Sequence, residues 1–598
     1  MAQAFTTRPE IRGTFGAVAS THWIASAVGF GILERGGNAF DAAVATGFTL
    51  QIVEPHLNGP GGDVPIILMP AGADRPQIIC GQGVAPAAAT IDRLRAMGVT
   101  WMPGTGVLPA VVPGSFGAWM LLLRDHGTMS LRQVLEPAIS YAEHGFPLVN
   151  RAAGSIHAIA DFFRSHWQHS AEVWLPGDKA PMPGQMVRTP QIAAAYTRVL
   201  SESEAAGGNR EARIDAARRA FYAGFVAEAI DRFYRQETAT MADIHHTGLL
   251  TGQDMDDWHA TYEDTVSIDY AGVTVHKTGP WGQGPSLLQA LRMLDGFGIG
   301  EMDPYGDLFV HTAVEALKLA LADRDAWYGD PNHVEVPLQR LLSTEYAAER
   351  AALIGDAASH DLTPGAAGDG VSERRAALLD LAADPNSPEG AGGGEPTFAD
   401  LPEIEGDTVH LDVVDRWGNI VAATPSGGWL QSSPAVPGLG FNVTTRGQMF
   451  WLDDRLPSHL APRRRPRTTL TPTLLTRDGR AIAGLGTPGG DQQDQWTLGF
   501  LLRHLQHRHN LQAAMDAPLF HTGHYVNSFA PRVFTPGVLM VEERFSPDVI
   551  QALRNRGHLV SVQPPWALGR LCAAGFTRDG GIRAAANPRF MQAYAVGR

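Results

Sequence analysis

The chain has 598 residues, with 62 Asp and Glu against 47 Lys and Arg, a formal net charge of -15 at pH 7. That balance excludes a general nucleic-acid binder and a protein drawn by charge to an anionic membrane surface. Only Cys80 and Cys572 are present, which excludes a disulfide framework and a cysteine zinc site, while 44% apolar content is ordinary for a soluble globular protein.

The opening stretch Met1 to Arg8 lacks a basic segment followed by an apolar core, and no long apolar run follows. The expectation is a cytoplasmic protein that does not engage a membrane, although a chain trimmed of its leader reads the same. From Ala19 the pattern is helical, with Ala25, Val28, Ile32 and Leu33 at helix spacing and Gly36-Gly37-Asn38 as a C-cap signal. Asp41 starts a second, Ala-rich helix through Leu50, ended before Pro55. Leu57 to Asp63 is a glycine turn entering an apolar strand, Val64 to Met69. Residues 115 to 350 read as mostly helical with short strands between, one of them Tyr270 to His276. A long helix spans about His311 to Trp327.

Residues 355 to 406 change character: Gly, Ala, Asp and Pro dominate, around Glu389-Gly390-Ala391-Gly392-Gly393-Gly394-Glu395. Such a composition buries little apolar surface and is expected to be a mobile linker. It runs into Gly406-Asp407-Thr408-Val409-His410 and an alternating strand from Thr408 to Asp415. A flexible leader ending at a Thr that heads a strand suggests a chain that cuts itself before Thr408. The new N-terminus would hold a hydroxyl beside its own α-amine, whose pKa near ~8 suits a base at neutral pH. On these five residues alone, a loop entering a strand is the simpler account.

A turn at Arg416-Trp417-Gly418 leads to a return strand, Asn419 to Ser426. With a three-residue loop and Gly418 in the left-handed position, Ser426 falls opposite Thr408. Thr424 lies one pair along on the same face. Both hydroxyls are expected to orient the nucleophile. Further on come a strand Ala481 to Leu485, the turn Gly486-Thr487-Pro488-Gly489-Gly490, and a helix from about Gln495 to His507. The adjacent Gly489 and Gly490 free backbone N–H groups to approach an oxyanion, worth a few kcal/mol each when well placed.

Other signals carry less. His311 and Glu315 lie one helical turn apart, but no second His stands at the spacing a zincin needs, so they read as a structural pair. Arg463-Arg464-Arg465 reads as a solvated basic run, with one arginine free to meet an anionic substrate group. His504, His507 and His509 read as surface residues. There is no Walker loop, Rossmann glycine fingerprint or Gly-x-Ser-x-Gly elbow.

Taken together, these segments resemble the γ-glutamyltransferase family of N-terminal-nucleophile hydrolases. The resemblance runs from Gly16 to the C-terminus, through Ala19-Ser20-Thr21-His22, Gly36 to Ala45, Glu54-Pro55-His56, Gly282-Gln283-Gly284 and Glu315 to Ala320. It continues through Asp323-Arg324, Gly329-Asp330-Pro331, Gly406 to His410, Asp415-x-x-Gly418-Asn419, Arg465-Pro466, Thr471-Pro472-Thr473, Gly486 to Gly490 and Asn587-Pro588-Arg589. It implies an α+β fold, a four-layer αββα sandwich. It implies self-cleavage between Asp407 and Thr408 into a large fragment, 1 to 407, and a small one, 408 to 598, that stay together as one αββα unit. A dimer of that processed pair is left open. Thr408 would form an acyl-enzyme with a small-molecule amide, Gly489 and Gly490 would line the oxyanion hole, and Thr424 and Ser426 would steady the nucleophile. No metal and no organic cofactor is implied.

The departures point away from γ-glutamyl specificity. Where the family's glutamyl enzymes hold the α-carboxylate with an arginine before an Ala-Pro pair, this chain has Gln82. Their acidic pair is replaced around Arg446, two carboxylate-binding serines become Thr468 and Thr469, and Asp491 follows the glycine pair. Gln82, Arg446, Thr468, Thr469 and Asp491 are thus the expected substrate contacts. The pattern is nearer the family's non-glutamyl branches, such as oxamate amidohydrolase and the cephalosporin acylases. The expected activity is a self-processing amide hydrolase or acyl transferase whose acyl group is not ordinary γ-glutamyl. A genuine glutathione-cleaving γ-glutamyltransferase is the alternative. An uncleaved, non-catalytic scaffold relative is a third.

Overall fold

The structure is a computed structural model that describes residues 5–241, 244–382, 408–530 and 532–598. Two seven-stranded antiparallel sheets stack face to face. One runs in the order Tyr594–Gly597, Gly16–Ser20, Leu411–Asp415, Ile420–Ala423, Val64–Met69, Gln77–Gly81, Thr261–Asp264. The other runs Ile11–Gly13, Ile582–Ala586, Cys572–Phe576, Arg480–Gly486, Thr473–Arg477, Val273–Lys277, Val266–Tyr270. Ile67, Val414 and Ile420 meet Leu474, Ala574 and Ala584 between the sheets.

Helices cover both outer faces. Trp23–Glu34, Ala39–Val53 and Ser115–His126 pack on the first sheet, burying Val44, Phe48 and Trp119 with Val413 and Val421. Gly284–Leu294 and Gln493–Leu501 cover the second, with Asp307–Trp327 packed against the first of these. The result is the αββα sandwich. Both sheets combine strands from before and after residue 408, so the two halves of the chain share one core.

The Leu411–Asp415 strand is buried at all five positions, because both of its faces are covered. Its pleat still sorts the side chains: Leu411 and Val413 face the helices, while Val414 faces the other sheet. The hairpin has the expected register. Val414 pairs with Ile420 and Leu411 with Ala423, Gly418 is left-handed at φ 98°, and an isolated bridge joins Thr408 to Ser426.

Several local expectations change. Ala19 lies on the Gly16–Ser20 strand, and the first helix begins at Trp23. Gly36, left-handed at φ 94°, ends the first helix as expected, and Asn38 then N-caps the next one, closing a capping box with Asp41. Tyr270 to His276 is no single strand. Ala271 and Gly272, both at positive φ, turn a hairpin there. The linker read from 355 is ordered up to 382: Leu362 is buried, and a helix at Val371–Ala382 buries Ala377 and Leu378. The remainder, 383 to 407, lies outside the described residues and includes Asp407. The last long helix ends in a π turn at Leu502–Gln506.

The basic run is solvated only at Arg463, which is exposed and pairs with Asp257. Arg464 and Arg465 are buried, and Arg465 donates to both Asp330 and Glu263. His504 is half-buried, with Nδ1 held 2.7 Å from the His509 carbonyl.

Candidate active site

The strand pleat that points Val414 between the sheets does the same for Thr408, His410 and Asp412. All three are buried. The second sheet makes room through glycine. A Cβ on Gly486 would stand 2.4 Å from His410 Cε1, and one on Gly484 would stand 3.1 Å from Asp412 Oδ1.

Thr408 Oγ1 lies 3.3 Å from Ser426 Oγ, the partner expected from the hairpin. Thr424 is placed differently. Its hydroxyl lies 2.9 Å from His410 Nδ1, and His410 Nε2 lies 3.0 Å from both Asp412 oxygens. Thr424 therefore braces a buried His410–Asp412 pair, and of the two it is Ser426 that meets Thr408. His410 was legible only as part of a motif, and Asp412 only as a strand residue.

Burial pushes the Asp412 carboxyl up to about 6, against the opposing pull of His410. A carboxyl raised on folding stabilises the fold fully below its unfolded value, and that contribution is lost as pH rises through the folded one. Here the window runs from about 3.8 to about 6. Asp412→Asn is expected to flatten the pH dependence of the urea midpoint across this window. An unchanged slope would contradict the assignment.

Arg570, which the sequence did not single out, ties Thr408 to the glycine turn. Its NH2 donates to the Thr408 carbonyl at 3.3 Å, and its backbone N–H donates to Thr487 Oγ1 at 3.1 Å. Its NH1 meets Glu54 Oε1 at 3.1 Å. Glu54 also accepts from Thr21 Oγ1 at 2.6 Å, and Thr21 N–H donates to the His410 carbonyl at 3.1 Å. Burial raises the Glu54 carboxyl while Arg570 pulls it down. Burial, with the nearby Arg570 charge, lowers His22 to about 3 and His56 well below its usual value, so both rings stay neutral.

Gly489 and Gly490 open the Gln493–Leu501 helix through a short 3-10 turn, where backbone N–H groups and the helix dipole favour negative charge. Gly489 sits at φ 125°, and a Cβ there would come within 2.1 Å of the Trp496 ring. The Gly490 carbonyl accepts from Gln283 Nε2 at 3.1 Å, and Gln283 accepts in turn from Arg324 at 2.8 Å.

The five expected substrate contacts separate. Asp491 is spent within the protein: Arg324 donates to its carboxylate, and Ser528 N–H does so at 2.9 Å. It positions the turn and is not free for substrate. Arg446 is buried in a bidentate pair with Asp63, at 3.0 and 3.2 Å, beside the Trp429 ring. Asp63 pairs through its backbone with Ser426 at 2.8 and 2.9 Å, which links Arg446 through Asp63 to the partner of Thr408. Thr468 Oγ1 accepts from Leu470 N–H, whereas Thr469 Oγ1 is buried without a partner. Gln82 is buried with both ends of its amide unpartnered, and it lines a cleft with Cys80, Asp330 and Arg465.

Comparison with known proteins identifies the family of the fold that carries these residues. The gamma-glutamyltranspeptidase family model matches residues 25–597. A solved structure titled "Structure of LmbA2991HD" is 50% identical, with a TM-score of 0.91 and complete coverage of both chains. The cephalosporin acylase from Bacillus halodurans is 28% identical with a TM-score of 0.82, covering 100% of this chain and 98% of its own. The acylase ACY 1 proenzyme of Pseudomonas sp. (strain V22) is 30% identical, covering 96% of this chain and 92% of its own. The chain thus belongs to the gamma-glutamyltranspeptidase family, as an enzyme of its amidohydrolase and acyltransferase kind.

Proposed function

We propose that this protein is a self-processing amide hydrolase whose nucleophile is Thr408. The observation that carries this reading is the placement of the Thr408 hydroxyl against Ser426, in a buried strand that Arg570 links to the glycine turn. In processing, Thr408 Oγ adds to the Asp407 carbonyl carbon and the C–N bond breaks. The leaving nitrogen takes up the hydroxyl proton as the free amine, and an ester remains on Oγ. Water then cleaves that ester, leaving residues 1–407 and 408–598 with a free amine on Thr408. The sheets shared by both fragments hold them together.

In turnover, the Thr408 amine takes the hydroxyl proton as Oγ attacks the substrate amide. Two N–H groups of the Gly489–Gly490 turn stabilise the tetrahedral oxyanion. The proton passes to the leaving amine, and water or a second amine resolves the acyl-enzyme. The acyl group differs from ordinary γ-glutamyl, because Gln82 cannot supply the bidentate charge of a guanidinium.

The test is incubation of processed protein with a panel of small amides, anilides and glutathione, with and without hydroxylamine. Release of amine from a non-glutamyl amide, diverted to a hydroxamate by hydroxylamine, is expected. Glutathione as the main substrate would overturn the specificity, and no release from any amide would overturn the activity.

A further inference from the structure

At one end the second sheet closes in hairpin turns at Ala271–Gly272, Asp478–Gly479 and Thr577–Gly580. The opposite end of the Arg480–Gly486 strand brings Gly486 against His410. At about 3.3 Å per strand residue, the turns lie roughly 20 Å from the Thr408 end of the sheets. A cleft of about 680 Å³ opens there, between the turns and residues 504–510.

Five arginines line this cleft, Arg12, Arg477, Arg508, Arg578 and Arg583, against one carboxylate, Glu10. Glu10 is already engaged, accepting from Arg12 Nε at 3.1 Å and from Leu511 N–H at 2.9 Å. Among the described residues, no carboxylate lies within ion-pairing distance of the other four arginines. Asp478 and Asp579 line an adjoining hollow with Arg480, and not the cleft itself. In a chain with 62 acidic residues against 47 basic ones, four unpaired guanidinium groups around one hollow run against the overall charge.

These groups are held in place. Arg583 is half-buried: its NH2 reaches His504 Nε2 at 3.5 Å, and its Nε is buried without a partner. Burial lowers the Arg583 guanidinium, with Arg12 and Arg477 adding to the effect and Glu10 opposing it. Burial and the Arg583 charge lower His504 to about 4, so its ring stays neutral. Arg477 donates to the Gly272 carbonyl at 3.3 Å. Arg508 stands at φ 57°, a left-handed backbone that a non-glycine residue rarely takes unless its surroundings impose it.

We propose that this cleft is a second binding site, for a small soluble anion carrying two or more linked phosphate groups, received by Arg477, Arg508, Arg578 and Arg583. Guanidinium forks match phosphate oxygens in pairs. A single phosphate brings at most about two negative charges and leaves half of the surplus unmet, whereas a diphosphate or triphosphate group balances it. The volume falls within the range of small-molecule sites, about 300–1,000 Å³, and leaves room for an organic group on the phosphate chain. The site lies apart from the amide chemistry proposed above and does not depend on it.

The test is calorimetric titration of the full-length protein with phosphate, pyrophosphate, tripolyphosphate and a short single-stranded DNA, at about 0.15 M salt. Saturable binding of one pyrophosphate or tripolyphosphate per chain is expected, about tenfold or more tighter than phosphate. Arg508→Gln and Arg578→Gln are each expected to weaken it about tenfold, the size of one charge-assisted hydrogen bond. Arg132→Gln, which removes an exposed arginine outside the cleft, should leave it unchanged. Arg508 and Arg578 are exposed, so both variants should keep the wild-type urea midpoint, which makes a loss of affinity readable as a loss of contact. No saturable binding of either polyphosphate would overturn the proposal. Binding that survives Arg508→Gln with Arg578→Gln would overturn the location, and DNA binding tighter than tripolyphosphate would overturn the small-molecule ligand.

Discussion

Thr408→Ala is expected to remain a single uncut chain and to lose amide hydrolysis by roughly four orders of magnitude or more. The methyl side chain removes both the attacking oxygen of processing and the acyl acceptor of turnover. Its effect on stability should be small. Thr408 Oγ1 makes a long 3.3 Å contact with Ser426, and the carbonyl that Arg570 holds is backbone. The variant should therefore unfold at nearly the wild-type denaturant midpoint. Denaturing electrophoresis and a urea titration check both halves of this expectation. A cut Thr408→Ala chain would show that another group performs the cleavage. Thr408→Ser, which keeps the oxygen, should still process.

Arg570→Met is expected to have the largest effect on stability. Removing one partner of a buried ion pair leaves the other charge uncompensated, at a cost of about 3–5 kcal/mol. That is a large share of the roughly 5–15 kcal/mol that holds a typical domain. Here the stranded group is Glu54, buried completely, with its carboxyl already raised by burial against the pull of Arg570. Without Arg570 it rises further. A raised carboxyl costs more stability as pH climbs, so the deficit of Arg570→Met should grow on going from pH 5 to pH 8. Glu54→Gln placed on Arg570→Met should restore much of the loss, because the remaining amide no longer carries a buried charge. Urea midpoints of the two single variants and the double variant measure the coupling, and additive losses would contradict it. Processing in Arg570→Met should also slow, since its guanidinium fixes the Thr408 carbonyl relative to Thr487.

The hairpin around Thr408 was readable because a three-residue loop with glycine fixes register by arithmetic. The Thr408–Ser426 bridge and the left-handed Gly418 follow directly from it. The glycine turn and the two helices after residue 20 were readable for a similar reason, since local backbone demands dictate the residue type. What was not readable depended on contacts far apart in sequence. Arg570 meets Glu54 across 516 positions, and Arg446 meets Asp63 across 383. No local pattern announces either pair. The same holds for Asp491, whose place after the glycine pair suggested substrate contact, whereas Arg324 and Ser528 occupy it. Arg464 and Arg465 looked solvated because charge runs usually are. Arg464 donates to the His459 carbonyl, and the partners of Arg465, Asp330 and Glu263, lie in segments that periodicity could not place beside it. The segment from 355 to 382 misled through composition, since its few apolar residues, Leu362, Ala377 and Leu378, are enough to dock it.

The most direct test of the central claim is the intact mass of freshly purified wild-type protein under denaturing conditions, with sequencing of the smaller species. Two polypeptides are predicted, together accounting for the whole chain, the smaller beginning Thr408-Val409-His410-Leu411-Asp412. A single uncut chain after prolonged incubation, or a cut that leaves any residue ahead of Thr408, would contradict it, because Thr408 would then have no free amine to act as its base.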